Sequence, residues 1–445
     1  MNCRTLVVLI VAVAGIWSPG RAAEHGTDII DDPTAGPPAD GSSAATRDSP
    51  PPADWPEVDQ LPPHEGLPDP LSRLDGTTVT DPADWAEHRE YLKAMFAHYM
   101  YGQMPPKPES VARKTVGVRA AEEGRAVIED WELIVRRNGR EVTVRAALLR
   151  PDRPGRFPVI IKNDRFLFGD GRLTEREAAW VASRPAVREH QQYANRQAVE
   201  RGYVLLKFLR EDVAADAPNQ RDRGVFRLYP EYPDWGIIAA WAWAYQFLID
   251  VLIAQPFVHE EQIIATGHSR GGKAALCAGI YDERIAITAP NSSGSGGTGG
   301  WRFFDPEQRA QTLRFHDQAA SHRVWWAPRL MTFVGREERL PFEAHTLKAA
   351  LAPRTFLNTH ARHDWWANPY GTALNHYGAL PVFEWLGAAD RAALHWRDGG
   401  HAQAEEDWEA LFDFCDRILF DQPTDRRFPI NPHPDRYDFR SILSR

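Results

Sequence analysis

The chain has 445 residues, 43% of them hydrophobic, and its 52 basic and 61 acidic side chains give a net charge of −9. This length suits one large domain or two ordinary ones, and the hydrophobic fraction is enough for a real core. The acidic balance argues against nucleic acid as a partner. The 16 tryptophans would serve the core, and an exposed indole would offer a platform on which sugar rings stack.

The first 22 residues have the pattern of an export signal. Arg4 supplies the positive charge, residues 6–17 are apolar, and Gly20 and Ala22 are small residues near a cleavage site. The apolar run is too short to span a bilayer as a stable helix, although a membrane anchor is the alternative. We therefore expect a secreted or periplasmic protein that is free of the membrane once residues 1–22 are removed.

Residues 23–66 are rich in Pro, Asp, Ser, Gly and Ala, as in the run Ser-Pro-Pro-Pro at 49–52. Such a composition buries too little apolar surface to become ordered, so the segment is predicted to be a disordered linker. Order is predicted to begin near Leu67. No repeat or second composition break follows, and we expect a single domain over residues 67–445.

The first predicted elements are a helix and a group of antiparallel strands. Asp81 as N-cap and Pro82 in the first turn predict a helix that ends near Gly102. Alternating apolar and polar residues then predict strands at 115–119, 126–137 and 141–150. Asn138 and Gly139 between the last two are typical of a tight hairpin turn.

Strands and helices then alternate along the chain. Short apolar runs predict strands, and longer apolar or amphipathic runs predict helices. Antiparallel hairpins followed by β-α-β units indicate a doubly wound, mostly parallel sheet. The predicted strands lie at 157–161, 203–208, 263–266, 285–289, 354–359 and 394–396, and the predicted helices at 234–253 and 404–420.

Ser269 stands at a sharp turn between a predicted strand and a predicted helix, flanked by Gly267 and Gly271. A glycine two residues to either side of a serine at this position is typical of the nucleophile elbow of an α/β-hydrolase. By itself the motif also fits a Gly/Ser turn, so the rest of the chain must supply a base and an acid. The α/β-hydrolase fold requires both to follow the serine, acid first.

His401 meets the requirement for a base, because it follows a late predicted strand in a Gly-Gly-His loop. Asp364 follows the predicted strand at 354–359, where this fold carries its acid, and would hold the histidine tautomer. Glu343 and Asp398 are rival acids, although neither follows a core strand directly. The prediction is a Ser269, His401 and Asp364 triad.

The predicted chemistry is ester hydrolysis through an acyl-enzyme. The backbone N–H of Arg270 would bind the oxyanion, with its guanidinium and the loop at 162–164 as further contributors. Neither a metal nor an organic cofactor is needed, and the histidines and cysteines show no zinc spacing. Cys277 and Cys415 fall in helices expected on opposite faces of the sheet, which predicts two buried thiols without a disulfide.

Two segments resemble bacterial glucuronoyl esterases of carbohydrate esterase family 15. They are Asp-Trp-Gly-Ile-Ile-Ala-Ala-Trp-Ala-Trp at 234–243 and Gly-His-Ser-Arg-Gly-Gly-Lys-Ala-Ala-Leu at 267–276. Further matches run in family order from about residue 67 to 420, and Ser-Arg-x-x-Lys is more specific than the elbow alone. Among them are Leu-Pro-Asp-Pro-Leu at 67–71, Arg-Gly-Tyr at 201–203, Ala-Pro-Arg at 352–354 and Gly-Gly-His at 399–401.

This resemblance implies cleavage of the ester between 4-O-methyl-glucuronate on xylan and lignin alcohols. It assigns Ser269 as nucleophile, His401 as base and Arg270 to the oxyanion hole. Lys273 would contact sugar hydroxyls, and it lies one helical turn past Ser269, so its side chain can emerge beside the serine. Trp366 would line the sugar site. We expect a monomer whose partner is glucuronoxylan or a related carbohydrate ester.

The chain departs from the family pattern at two places. Many members carry a catalytic glutamate in the loop after the strand that follows the elbow, and Ser295 stands there instead. The family also has an acidic sugar ligand shortly before a Trp-Phe-like pair, whereas His322 and Arg323 precede Trp325 here. Two alternatives therefore stay open: an esterase of the same fold acting on acetyl or other sugar esters, and a catalytically impaired homologue that binds polysaccharide.

Overall fold

The computed structural model describes residues 27–30, 55–168, 183 and 185–439. Its centre is a ten-stranded sheet in the order β1-β2-β3-β4-β6-β5-β7-β8-β9-β10. The strands from β1 to β4 pair antiparallel, β4 pairs antiparallel with β6, and all later pairs are parallel. The strands are β1 (Thr27–Ile30), β2 (Ser110–Ala121), β3 (Ala126–Arg137), β4 (Arg140–Pro151), β5 (Phe157–Asp164), β6 (Val204–Leu209), β7 (Val258–His268), β8 (Ile285–Asn291), β9 (Thr355–Ala361) and β10 (Ala392–Arg397).

Helices cover both faces of the sheet. The α-helices of the described chain are α1 (Trp85–Phe96), α2 (Pro185–Arg201), α3 (Arg210–Val213), α4 (Ile237–Ile253), α5 (Arg270–Tyr281), α6 (Leu313–Gln318), α7 (Ala320–Arg323), α8 (Ala344–Ala349), α9 (Pro369–Trp385) and α10 (Glu405–Phe420). The predicted fold class, an α/β-hydrolase with a mostly parallel sheet and N-terminal antiparallel hairpins, is confirmed.

Local signals in the sequence explain two of the boundaries. Asp81 accepts a hydrogen bond from the Ala83 N–H at 2.9 Å and caps the short turn that leads into α1. Asn138 and Gly139 both have positive φ, 50° and 68°, as a two-residue hairpin turn between β3 and β4 requires.

The core has two layers because consecutive strand residues point to opposite faces of the sheet. Val159 and Ile161 of β5 belong to one apolar cluster with α4 and α5, whereas Ile160 belongs to another with α2 and α10. Cys277 of α5 lies in the first cluster and Cys415 of α10 in the second. Both thiols are free and buried, as predicted.

The predicted linker is too long at its C-terminal end, because residues 55–66 pack on the domain. Val58 and Leu61 are buried, and Trp55 packs against Tyr91 of α1. Glu57 forms an ion pair with Arg329 at 2.8 Å. Three apolar side chains within a polar stretch therefore suffice to hold this segment. The predicted signal at 1–22 and most of the predicted linker lie outside the described residues.

Among the described residues, no helix is both long and apolar enough to cross a membrane.

Candidate active site

Ser269 stands between β7 and α5 in a strained backbone conformation, with φ of 58° and ψ of −122°. The chain turns so tightly here that a Cβ on Gly267 would lie 2.3 Å from the carbonyl oxygen of Gly271. The Ser269 N–H donates to the Asn291 carbonyl oxygen of β8 at 2.9 Å. The glycines of the motif are therefore required by close backbone contact, as expected for a nucleophile elbow.

His401 joins Ser269 to Asp364. Its Nε2 lies 2.9 Å from Ser269 Oγ, and its Nδ1 lies 2.7 Å from Asp364 Oδ2. The carboxylate is 3% exposed. Burial opposes its ionisation, but the hydrogen bond with His401 and the neighbouring His360 outweigh burial and lower the pKa of Asp364. The structure thus brings together the three residues predicted as a triad.

The rival acids lie elsewhere. Glu343 is fully buried and accepts hydrogen bonds from the Trp301 N–H at 2.9 and 2.8 Å, so it holds the loop after β8. Asp398 has an exposed side chain that pairs with Arg362 at 3.2 Å. Ser295 is also buried, and its hydroxyl has no hydrogen-bond partner in the described part of the chain. Both ring nitrogens of His401 are occupied by other partners.

Arg270 is the first residue of α5. The N–H groups of Gly272 and Lys273 return to the Ser269 carbonyl, whereas within the described chain the Arg270 N–H has no backbone acceptor. Such a free donor at a helix N-terminus suits a negatively charged oxygen. The guanidinium forms an ion pair with Asp216 and lies over the Trp325 ring at 4.8 Å.

Lys273 and Trp366 lie in different surroundings. Lys273 is 2% exposed, and its Nζ donates to the Ser293 carbonyl. Burial and the nearby Arg270 lower the pKa of Lys273 to about 7. Trp366 is 40% exposed and packs edge-on against Phe315 with 4.9 Å between ring centroids. The indole therefore presents open surface close to Asp364.

A cavity of about 390 Å³ opens beside the elbow. Its wall is formed by the end of β5, by α2, and by residues next to Ser269 and His401. Neither Lys273 nor Trp366 lines it. The lining residues are Lys162, Asn163, Asp164, Arg165, Phe166, Val187, His190, Gln191, Arg210, His268, Ser269, Arg270, His401, Ala402, Gln403 and Trp408.

Comparison with known proteins places the chain in a family. The profile of a family described as glucuronyl esterase, fungi, matches residues 133–387, more than half of the chain. The chain belongs to the glucuronoyl esterase family. It is accordingly a carboxylic ester hydrolase.

Known proteins and solved structures are similar to this esterase over most of its chain. It is 28% identical to the carbohydrate esterase MZ0003 of an unknown prokaryotic organism, over 79% of this chain and 89% of the relative. It is 29% identical to a 4-O-methyl-glucuronoyl methylesterase of Podospora anserina, over 73% of this chain and 61% of the relative. A solved glucuronoyl esterase of carbohydrate esterase family 15 from Caldicellulosiruptor kristjansonii is 30% identical, with a TM-score of 0.66, over 86% of this chain and 99% of that one.

Several residues of this esterase's site escaped the sequence analysis. Arg397, at the end of β10, donates to the carbonyl oxygens of Gly400 at 2.9 Å and Ala402 at 2.7 Å, on either side of His401. Its Nε donates to the buried Asp407 at 2.7 Å. An arginine shortly before the base was visible in the sequence, but nothing in the pattern indicated that it organises the loop.

His268 and Asp216 were also missed. The His268 ring lies 4.5 Å from that of His401, and its Nδ1 lies 2.6 Å from Asn291 Oδ1. Burial, reinforced by His401, lowers the pKa of His268 to about 3, so this ring stays neutral. Asp216 accepts from Trp325 Nε1 at 2.8 Å, so the carboxylate beside Trp325 comes from a distant part of the chain.

Proposed function

We propose that this protein hydrolyses 4-O-methyl-glucuronoyl esters of glucuronoxylan, with Ser269 as nucleophile, His401 as base and Asp364 as acid. One observation carries the proposal: a continuous hydrogen-bonded chain from Ser269 Oγ through His401 to Asp364, in a member of the glucuronoyl esterase family. Serine, imidazole and carboxylate in this geometry are the parts that acyl transfer requires.

In the first half of the reaction, His401 Nε2 removes the Ser269 proton as Oγ attacks the ester carbonyl. Asp364 keeps the proton of His401 on Nδ1 and stabilises the imidazolium that forms. The low pKa of Asp364 keeps it ionised for this task. The imidazolium then protonates the leaving alcohol, and an acyl-enzyme remains on Ser269. Water, activated by the same imidazole, releases the uronic acid.

The oxyanion of the tetrahedral intermediate would be bound by the backbone N–H of Arg270, which has no backbone acceptor in the described chain. The guanidinium of Arg270 adds positive charge, although Asp216 neutralises part of it. Donors fixed in position before the reaction stabilise the developing charge without reorganisation.

Lys273 and Trp366 are the proposed sugar contacts. Lys273 donates one N–H to the Ser293 carbonyl oxygen, and the rest of its amino group can donate to sugar hydroxyl groups. The exposed indole of Trp366 suits the apolar face of a sugar ring. Neither side chain lines the cavity beside the elbow.

The test compares hydrolysis of benzyl glucuronate, acetylated xylan and p-nitrophenyl acetate by the wild-type enzyme. We expect the highest kcat/KM on benzyl glucuronate. Ser269→Ala should lose roughly 10⁶-fold in kcat while keeping its Tm. Thr80→Ala, which removes an exposed hydroxyl group in another part of the chain, is the control and should retain full activity. Activity on the acetyl esters alone would overturn the glucuronoyl assignment.

An esterase for other sugar esters is the second candidate, and one observation favours it. Beside Trp325, where the family has an acidic sugar ligand nearby in the sequence, the local residue is His322, with its ring 4.2 Å from the indole. Burial lowers the pKa of His322 to about 4, so it is neutral at pH 7. Rates on acetylated xylan that exceed those on benzyl glucuronate would select this candidate.

Export and a monomeric state complete the proposal. The apolar segment at 6–17 supports cleavage after about residue 22. Mass spectrometry of the protein recovered outside the cytoplasm should find a new N-terminus near residue 23, whereas an intact N-terminus would indicate an anchor. Light scattering should give the mass of one chain.

A further inference from the structure

Arg210 directly follows β6 and lies beside the elbow. It is the first residue of α3 and is 6% exposed. Its side chain lines the cavity that also contains Ser269 and His401. A Cβ built on Gly271 would lie 3.3 Å from Arg210 Nη1. The guanidinium therefore lies against the first turn of α5, beside the nucleophile.

This guanidinium has no counter-ion among the described residues, although acidic residues are close in sequence. Glu211 accepts from the Asp216 N–H at 2.9 Å, Asp212 binds Arg145 at 2.8 Å, and Asp216 binds Arg270. Arg210 is held instead by the Trp241 ring, 4.9 Å from its Cζ. A buried charge without a partner is costly, so its presence in a cavity points to a ligand.

Asn163 supplies a second unpartnered polar group at the same place. It is the penultimate residue of β5, is 1% exposed and lines the same cavity. Within the described chain, neither its Oδ1 nor its Nδ2 has a hydrogen-bond partner. Its Oδ1 also lies 3.3 Å from the Cβ position of Gly271. Asn163 of β5 and Arg210, which follows β6, thus converge on the N-terminus of α5.

The other charges of the cavity are already balanced. Lys162 lies 2.8 Å from Asp164, the one carboxylate among the described lining residues. Arg165 lies 3.5 Å from Glu211, and Arg270 pairs with Asp216. Burial and the nearby Arg270 lower the pKa of Arg210 to about 10, which leaves it charged at neutral pH. Arg210 is therefore the uncompensated charge next to Ser269.

We propose that Arg210 and Asn163 form an anion subsite that receives the negatively charged oxygen of the reacting carboxyl group. This inference rests on the proposed function. When Ser269 Oγ bonds to the carbonyl carbon, the π electrons move to the carbonyl oxygen and the serine proton moves to His401. The same subsite then binds the carboxylate product. The subsite accordingly stabilises the transition state, and the uronic acid product inhibits the enzyme.

The test uses sodium glucuronate as the anionic probe and methyl glucoside as the neutral one, both as inhibitors of benzyl glucuronate hydrolysis. Arg210→Met should raise the Ki of glucuronate at least about tenfold and lower kcat by roughly 10²-fold. The Ki of methyl glucoside should stay within about twofold, because this probe carries no charge. A general structural loss would instead weaken the binding of both probes. In Asn163→Asp the new carboxylate would pair with Arg210, and this variant should likewise raise the Ki of glucuronate but not that of methyl glucoside. It replaces Arg210→Met in the test if Arg210→Met fails to fold.

Arg354→Met is the matched control. Burial also lowers the pKa of Arg354 to about 10, but Arg354 directly precedes β9 and so lies at the edge of the parallel sheet away from Ser269. It should reduce Tm without changing the ratio of the two Ki values. The subsite would be overturned if Arg210→Met folded and kept both its kcat and its Ki for glucuronate. It would also be overturned if the Ki values of both probes rose equally. A wild-type enzyme inactive on benzyl glucuronate would instead refute the proposed function, and acetate inhibition of p-nitrophenyl acetate hydrolysis would then test Arg210 on its own.

Discussion

Arg397 and Asp407 form a buried ion pair, with 2.7 Å between Nε and Oδ2, directly beneath the His401 loop. The remaining guanidinium N–H groups donate to the carbonyl oxygens of Asp398, Gly400 and Ala402. Breaking such a pair leaves an uncompensated charge, whereas the intact pair adds little net stability. The pair therefore serves chiefly to hold the loop that carries the imidazole.

We expect Arg397→Lys to lower kcat by roughly 10- to 100-fold with little change in KM, because a lysine cannot donate to all of these oxygens in fixed directions. Steady-state kinetics on benzyl glucuronate measures the effect. Arg362→Lys is the control, since Arg362 pairs with the exposed Asp398 nearby. A rise in KM with unchanged kcat would show that Arg397 acts on substrate binding instead.

Asp364→Asn should reduce kcat by roughly 10⁴-fold, because an amide favours the wrong tautomer of His401. Asp398→Asn, an exposed change near the same loop, should stay within about twofold of wild type. Glu343→Gln should reduce kcat far less than Asp364→Asn, since Glu343 binds backbone N–H groups away from His401. A larger loss in Glu343→Gln would refute Asp364 as the acid.

Lys273→Met should separate sugar recognition from ester chemistry. The loss of its hydrogen bonds to the sugar corresponds to a fall of roughly 10- to 100-fold in kcat/KM on benzyl glucuronate. Hydrolysis of p-nitrophenyl acetate, which has no sugar, should change less than about threefold. Equal losses on both substrates would show that Lys273 supports the elbow rather than the sugar.

Stability should fall as the pH drops from 6.5 towards 4, partly through His360. This ring is fully buried, and burial is the main reason why its pKa is lowered to about 4, with Asp364 opposing the shift and His401, Arg397 and Lys348 adding to it. Below pH 6.5 the imidazole of His360 binds a proton in the unfolded chain but not in the folded protein. Its contribution to stability is therefore present above pH 6.5 and lost as the pH falls towards 4. The full effect is on the order of 3 kcal/mol.

His360→Asn should therefore lose less stability than wild type between pH 7 and pH 4.5. Urea unfolding at both pH values gives the two free energies of unfolding. Other buried histidines such as His345 act in the same direction, so the difference between variant and wild type is the quantity to compare. Parallel losses in the two proteins would contradict the prediction.

Short-range patterns in the sequence predicted most of the sheet. The turn at Asn138 and Gly139 and the short apolar runs of the central strands could be predicted, because these features depend on neighbours in the chain. The order of Ser269, Asp364 and His401 likewise followed from where strands end. The N-terminal boundary was misplaced because Arg329 and Arg339, far along the chain, bind Glu57 and the Leu61 carbonyl oxygen, which composition does not reveal.

The sequence by itself determined the fold class, the elbow and the candidates for base and acid, since each depends on local backbone geometry or on the order of strands. Only the tertiary structure decided which charges face one another. Asp216 pairs with Arg270, Arg397 supports the His401 loop, and Arg210 lies unpaired against Gly271, because strand ends distant in sequence meet at one edge of a parallel sheet. Coulomb and hydrogen-bond energies depend on distances of a few ångströms, and only the folded chain sets those distances.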